Sequence, residues 1–74
     1  MEGYKARLVE EYKQLADRTK KLSEIIRRHR DGELDFELNC PIDLLVRQLG
    51  IMSSYKAILE TRADVEGIDL KGEN

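Results

Sequence analysis

Residues 4–30 read YKARLVEEYKQLADRTKKLSEIIRRHR and predict one long amphipathic helix. A stripe of mostly apolar side chains recurs at alternating steps of four and three residues, the heptad spacing of a helix that packs against another helix. The stripe consists of Leu8, Tyr12, Leu15, Thr19, Leu22, Ile26 and His29. Val9, Ala16 and Ile25 widen it, so a second neighbouring helix is expected. The opposite, water-facing side carries Glu10, Lys13, Asp17, Lys20, Glu24 and Arg27.

The end of this first helix is marked by cations and then by a turn signal. The run 27–30, Arg-Arg-His-Arg, places positive charge beside the last unsatisfied carbonyl groups, where the helix dipole favours it. Asp31 and Gly32 then stop the helix. Nucleic acid is another ligand of such clusters, but the net charge of −2 and the simpler capping explanation make a nucleic-acid duplex an unexpected partner.

Residues 41–66, PIDLLVRQLGIMSSYKAILETRADVE, predict a second helix. Pro41 suits the first helical turn, Asn39 or Cys40 is available as the N-cap, and Asp43 places negative charge near the start. This helix has two adjacent apolar stripes: Ile42, Leu45, Leu49, Met52, Leu59 and Ala63 form one, and Leu44, Ile51, Tyr55, Ile58 and Val65 form the other. Two stripes imply two packing partners.

Two glycines of the second helix carry separate predictions. Gly50 lies in mid-helix, where glycine costs ~1 kcal/mol relative to alanine, and this favours a close helix contact at Gly50 over the approach of a ligand. Gly67 is placed to end the helix with a left-handed cap, after which Ile68 and Leu70 are expected to fold back on the hairpin. Tyr12 and Tyr55 are interpreted as packing residues whose hydroxyl groups lie at the edge.

The predicted fold class is all-α, an antiparallel two-helix hairpin that assembles into a helical-bundle homo-oligomer. The single domain spans residues 1–74, with helix 1 at about 4–30, a connector at about 31–40, helix 2 at about 41–66 and a tail at 67–74. Leu34, Phe36 and Leu38 of the connector are expected to cover the open end. Two helices have one mutual face and cannot enclose both sets of apolar side chains. The two flanks fit a four-helix dimer as well as a ring of dimers.

Charge is distributed unevenly along the chain. Residues 1–30 carry nine Lys/Arg and five Asp/Glu, a balance of +4, whereas residues 31–74 carry four and ten, a balance of −6. One interpretation is electrostatic pairing within the hairpin or between subunits, although exposed pairs usually contribute only ~0–1 kcal/mol each. The other is that the basic first helix binds phosphate groups while the acidic second helix stays outside. Both interpretations remain open from the sequence.

Composition and motifs argue against catalysis, a metal site and a membrane span. No apolar run approaches the ~20 residues that cross a bilayer, and the N-terminus lacks a secretory-signal pattern, so a cytoplasmic protein is expected. The chain has one Cys and one His, so it lacks a zinc-ligand cluster. No catalytic constellation and no glycine-rich phosphate loop is present. We therefore expect no enzyme, no catalytic residue, no metal and no cofactor.

The order of residues along both helices resembles a family of small phage proteins. These are helical-hairpin proteins related to the anti-CBASS and anti-Thoeris cyclic-nucleotide sponges. The resemblance is carried by Tyr4-Lys5-Ala6-Arg7-Leu8, Glu11-Tyr12, Leu15, Arg18, Lys21-Leu22, a Leu-Asp-Phe link at 34–36, Leu44-Leu45, Gln48-Leu49, Met52, Tyr55, Leu59 and Arg62. It implies an all-helical homo-oligomer, a dimer or higher and often a hexamer, in the cytoplasm of the host bacterial cell. Such a protein sequesters a cyclic nucleotide or cyclic ADP-ribose-type immune signal without cleaving it.

The resemblance also implies a ligand site on the first helix. In the anti-CBASS relatives, an aromatic residue near the start of the hairpin stacks on a base and a lysine further along contacts a phosphate. Tyr4 with Lys5, and Lys20, match these positions, and Arg7, Arg18 and Lys21 are supporting candidates. The residue types suit the task, because a tyrosine stacks on a base for ~1–3 kcal/mol and cations neutralise phosphates.

Two other functions remain in competition with the sponge. A protein-directed inhibitor or adaptor, of the anti-CRISPR or anti-repressor type, would cover its partner with an exposed apolar helical face. A structural assembly factor would only fold and associate. A sponge is expected to be a closed oligomer that leaves no apolar stripe exposed, so the fate of the second stripe on helix 2 separates these functions.

Overall fold

The computed structural model describes residues 3–70, which form an antiparallel two-helix hairpin. Helix α1 spans Gly3–Arg30 and helix α2 spans Ile42–Glu66. Residues 3–70 contain no β-strand, so the predicted all-α hairpin is confirmed. Association into a homo-oligomer concerns more than one chain and stays a prediction. Residues 71–74 of the predicted tail lie outside the described residues.

The best-packed part of the hairpin lies where the start of α1 meets the end of α2. Leu8, Leu15, Leu59 and Ala63 form the buried cluster, and Tyr12, Met52, Ile68 and Leu70 pack against it. The predicted stripe of α1 is confirmed from Leu8 to Ile26, since its members are buried or half-buried. His29 is exposed, because it lies in the last turn beyond the end of this packing.

The two apolar stripes of α2 have different environments. Every member of the stripe Ile42, Leu45, Leu49, Met52, Leu59 and Ala63 is half-buried or buried. The stripe Leu44, Ile51, Tyr55, Ile58 and Val65 is exposed. One of the two predicted packing partners is therefore α1, and residues 3–70 supply no second partner.

Both ends of the connector are defined by backbone geometry. Gly32 has φ +72°, and the Glu33 N–H donates to the Arg28 carbonyl at 2.8 Å, so the predicted stop is confirmed. The predicted side-chain cap from Asn39 or Cys40 is wrong. Pro41, with φ −60° and ψ 141°, takes the capping position without a side-chain hydrogen bond, and its carbonyl accepts the Leu44 N–H at 3.0 Å. The proline ring restricts φ to a value that suits the start of a helix, so α2 begins here without a side-chain cap.

The C-terminal end of α2 follows the predicted left-handed cap. Gly67 has φ 67° and ψ 32°, a conformation that glycine adopts without a Cβ penalty. The Ile68 N–H donates to the Ala63 carbonyl at 2.8 Å, which is the long hydrogen bond of a Schellman motif. The turn directs Ile68 and Leu70 back onto the buried cluster, as predicted.

Two expectations about packing are corrected. Leu34 and Leu38 of the connector are half-buried, but Phe36 is 54% exposed and covers little of the hairpin's open end. Gly50 is exposed, and a Cβ added there would meet nothing within 4 Å. The predicted close helix contact at Gly50 is therefore not made within the hairpin, because Gly50 faces away from α1.

Candidate functional site

The start of α1 brings an aromatic ring and two cations together. Tyr4 is 45% exposed, and the Lys5 Nζ lies 6.0 Å from the centroid of its ring. The Arg7 Nη1 lies 3.5 Å from the position that a Cβ on Gly3 would occupy, so the Arg7 side chain runs back along the first turn. We call Tyr4, Lys5 and Arg7 the N-terminal cluster. It offers a stacking surface beside two positive charges.

The electrostatic setting of the N-terminal cluster favours an anion. The first turn of α1, from Gly3 onward, has no acidic residue, although Glu2 precedes it in the sequence. The unsatisfied N–H groups of a helix start add partial positive charge, equivalent to roughly half an elementary charge. A phosphate close to Lys5 and Arg7 would interact with both the side chains and the helix dipole. The geometry therefore suits a ligand that combines an aromatic base with a phosphate.

The other predicted site residues lie much further along α1. Arg18, Lys20 and Lys21 are exposed, and the Lys21 Nζ forms an ion pair with Asp17 Oδ2 at 2.9 Å. Lys20 is 16 positions after Tyr4 in the numbering, which corresponds to about 24 Å along the helix and about 160° around its axis. A single copy therefore does not bring Tyr4 and Lys20 to the same ligand.

Tyrosine–carboxylate hydrogen bonds join the two helices. The Tyr12 hydroxyl donates to Glu60 Oε2 at 2.7 Å, and the Tyr55 hydroxyl donates to Glu11 Oε2. The pKa of each tyrosine is raised, first because its proton is held by this hydrogen bond and then by desolvation. Lys56 Nζ lies 5.9 Å from the centroid of the Tyr12 ring. Tyr12 thus packs with its hydroxyl at the edge of the core, whereas Tyr55 is largely on the surface.

The arginine cluster at the end of α1 is engaged in local ion pairs. Arg27 contacts Glu24 at 2.7 Å and Asp31 at 3.0 Å, and Arg28 contacts the same Glu24 at 3.3 Å. Hydrogen bonds from Arg27 and then from Arg28 lower the pKa of Glu24 to about 2. These contacts connect the last turn of α1 to the residue that follows it, which agrees with the capping interpretation.

A cleft near the connector contains a combination that the sequence analysis did not identify. Lys21, Glu24, Ile25, Arg28, Leu34 and Phe36 line a space of about 320 Å³. Exposed Phe36 lies there with Lys21 and Arg28, a second place where an aromatic ring and cations share a surface. The sequence feature that pointed to this cleft is the single phenylalanine of the chain, which lies between the charged residues 35 and 37. The alternating pattern instead predicted that this phenylalanine packs over the end of the hairpin.

The titratable groups do not form a metal site within the described range. Residues 3–70 contain no group of three or more His, Cys, Asp or Glu side chains that could hold a metal ion. Cys40 is half-buried before α2, and His29 is exposed at the end of α1. In the same range, neither helix is apolar enough over a sufficient length to cross a membrane.

Comparison with known proteins gives one assignment. Neither the curated proteins nor the solved structures gave a match to the chain. The sequence model of a family described as Sequestin matches residues 2–65. This range includes the whole of α1 and all but the last residue of α2. The match thus covers both helices and the connector between them, and the chain belongs to the Sequestin family.

Proposed function

We propose that this chain is a phage-encoded anti-defence protein that sequesters a cyclic nucleotide immune second messenger without cleaving it. Membership of the Sequestin family carries the proposal, because the family name indicates sequestration of a ligand or partner, a binding role and not a catalytic one. The finer assignment to a cyclic nucleotide is supported by the N-terminal cluster, where an exposed tyrosine lies beside Lys5 and Arg7.

The proposed ligand has two parts that the N-terminal cluster can bind. Its base can stack on the exposed ring of Tyr4, an interaction of ~1–3 kcal/mol per base. Its phosphodiester groups are anions that Lys5 and Arg7 can pair with, next to the positive end of the α1 dipole. A cyclic ADP-ribose-type ligand presents the same two features. Sequestration requires only that the bound ligand dissociates slowly, so no catalytic group is needed.

If Tyr4 and Lys20 contact the same ligand, the distance between them requires a site shared between copies. Since these residues lie about 24 Å apart along α1 and on nearly opposite sides of it, a ligand that contacts both must lie between two chains. In our proposal, one copy supplies the N-terminal cluster, and a neighbouring copy supplies Arg18, Lys20 and Lys21. The functional unit is then a homo-oligomer, a dimer or a larger assembly up to a hexamer, in the host cytoplasm.

The proposal is tested by titrating the protein with a panel of cyclic di- and trinucleotides and cyclic ADP-ribose isomers. Calorimetry and native mass spectrometry should show binding at a fixed ratio of ligand to protein, and denaturation should release the ligand intact. Tyr4→Ala should weaken binding at least about fivefold, as expected for the loss of a stacking contact of ~1–3 kcal/mol, and Lys20→Ala should weaken it through the loss of a phosphate contact. Lys13→Ala, at another exposed lysine of α1, is the matched control.

Two results would contradict the proposal: no binding to any ligand of the panel, or recovery of a cleaved ligand. If binding occurs but Tyr4→Ala and Lys20→Ala leave it unchanged, the sponge function stands and the assigned site is wrong. The cleft with Phe36 and Arg28 is then the next place to test, by Phe36→Ala.

The exposed stripe of α2 favours a second candidate function, a protein-directed inhibitor or adaptor. Such a protein needs an apolar helical face to cover its target, and Ile51 and Val65 are 71% and 79% exposed. If copies of the chain cover this face, the oligomeric sponge is favoured. If the face remains open in solution, it is available to a protein partner. The mass of the protein in solution therefore discriminates between the two candidates.

A further inference from the structure

We infer that the outer face of α2 is the surface on which a second copy of this chain docks. The face is centred on Leu44, Ile51, Ile58 and Val65, which we call the outer stripe. The inference rests on the proposed function because it assumes a homo-oligomer. It adds the surface through which the copies associate. Its test uses no nucleotide and so stands independently of ligand binding.

The outer stripe is a row of exposed aliphatic side chains. Its members are 53%, 71%, 57% and 79% exposed in chain order, and they follow one another at intervals of seven residues. Seven residues are almost two helical turns, so the four side chains lie in one row along α2. Together they expose on the order of 500 Å², which is comparable with the largest apolar patch of a typical monomer, and such patches are often functional.

The middle of the outer stripe, from Ile51 to Ile58, lacks neighbouring charge, whereas the exposed residues Arg47 and Arg62 lie beside its two ends. Between Gln48 and Thr61 the charged residues of α2 are Lys56 and Glu60. Both interact with Tyr12, so both point toward α1. The central turns of the outer face are therefore uncharged, whereas a helix face that stays in water normally carries charged residues. Depletion of charge is the compositional mark of the centre of a protein interface.

The helix that best fits the outer face is α2 of another copy. A seven-residue repeat packs against a helix that has its own apolar repeat, with side chains of each helix filling gaps in the other. Within the described range, the exposed side of α1 instead carries Glu10, Lys13, Asp17, Lys20 and Glu24. Two outer stripes together bury roughly 1,000 Å², which is about the minimum area of a specific protein interface.

The inference is tested by the mass of the protein in the absence of nucleotide, using sedimentation velocity and native mass spectrometry. The unmodified chain should run as a multiple of 8.6 kDa at micromolar concentration. Ile51→Glu and Ile58→Glu should reduce the mass, and circular dichroism should show retained helix. Val46→Glu is the matched control, because Val46 is 50% exposed on the same helix but lies outside the stripe.

A second measurement covers the case in which a charged variant fails to fold. In a Cys40→Ser background, Ile51→Cys and Val46→Cys place thiols of similar size on and off the outer stripe. Thiol alkylation should be about tenfold slower or more at position 51 than at position 46, because a thiol reacts only where it is accessible. Equal alkylation rates, a wild-type monomer, or loss of assembly in Val46→Glu as complete as in Ile51→Glu would overturn the inference.

Discussion

The Tyr12 hydroxyl on α1 donates a hydrogen bond of 2.7 Å to Glu60 Oε2 on α2. This bond joins positions 48 residues apart and links the two helices beside the buried cluster. Leu59, the neighbour of Glu60, is fully buried. The polar contact therefore lies at the edge of the apolar core.

Tyr12→Phe should lower the free energy of unfolding by about 0.5–1 kcal/mol, because it removes this hydrogen bond but keeps the aromatic packing. The magnitude is small because Glu60 is exposed and can bind water instead. Urea unfolding followed by circular dichroism, at one fixed protein concentration, measures the change. Lys13→Ala, at an exposed position of α1, is the control and should leave the unfolding midpoint where it is. A larger loss in the control would contradict this account of Tyr12.

The two tyrosine–carboxylate bonds predict a loss of stability in alkaline solution. The pKa values of Tyr12 and Tyr55 are raised above the ordinary 10.0, so the folded state holds both protons more tightly than the unfolded state. The corresponding stability is complete below pH 10 and declines as the pH rises through the folded-state pKa values. Unfolding free energies measured between about pH 8 and about pH 11 should fall in the wild type. The double variant Tyr12→Phe, Tyr55→Phe should show a flatter profile.

Glu24 predicts the opposite dependence in acid. Its pKa is lowered to about 2 by hydrogen bonds from Arg27 and then Arg28, so its contribution is present above the ordinary pKa of 4.5 and is lost as the pH falls toward 2. NMR titration of the Glu24 carboxyl group measures this value directly. Arg27→Gln should return the pKa most of the way to the ordinary value, and Arg28→Gln should have a smaller effect. An unchanged pKa in Arg27→Gln would show that the ion pair does not form in solution.

Leu59→Ala should be the most damaging single truncation on α2. Leu59 is fully buried in the cluster with Leu8, Leu15 and Ala63, and truncating such a leucine typically costs about 2–5 kcal/mol. For a hairpin of 74 residues this is a large part of the total stability, so thermal unfolding should shift strongly downward or disappear. Val46→Ala, at a half-exposed position of the same helix, should change the transition little.

The sequence predicted those features that depend on local periodicity and on glycine. The apolar stripe of α1 and the Gly32 and Gly67 helix ends could be identified because a helix repeats every 3.6 residues and a left-handed end favours glycine. The sequence did not reveal that Pro41 caps α2 with its backbone alone, nor that Phe36 stays exposed. Those outcomes depend on how the connector crosses the end of the hairpin, which no periodic pattern describes.

The candidate site was less predictable for a geometric reason. Tyr4, Lys5 and Arg7 are neighbours on one helical turn, so their proximity follows from the sequence alone. Lys20 is separated from them by about 24 Å of the same helix, and its relation to them depends on how copies are arranged. In our proposal, that arrangement depends in turn on the outer face of α2, whose neighbours belong to other copies of the chain.

A mixing experiment tests whether the ligand site is shared between copies. Tyr4→Ala and Lys20→Ala should each weaken binding when present alone, but equimolar mixing, with denaturation and refolding to exchange subunits, should restore tight binding at some of the sites. If each site takes Tyr4 from one copy and Lys20 from another, random assembly leaves both residues intact at about a quarter of the sites, because each intact residue has an even chance. Calorimetric stoichiometry measures this fraction. Mixing Tyr4→Ala with a Tyr4→Ala, Lys20→Ala double variant is the control and should restore nothing. If the first mixture also fails to bind, the two residues do not form one site across a subunit interface.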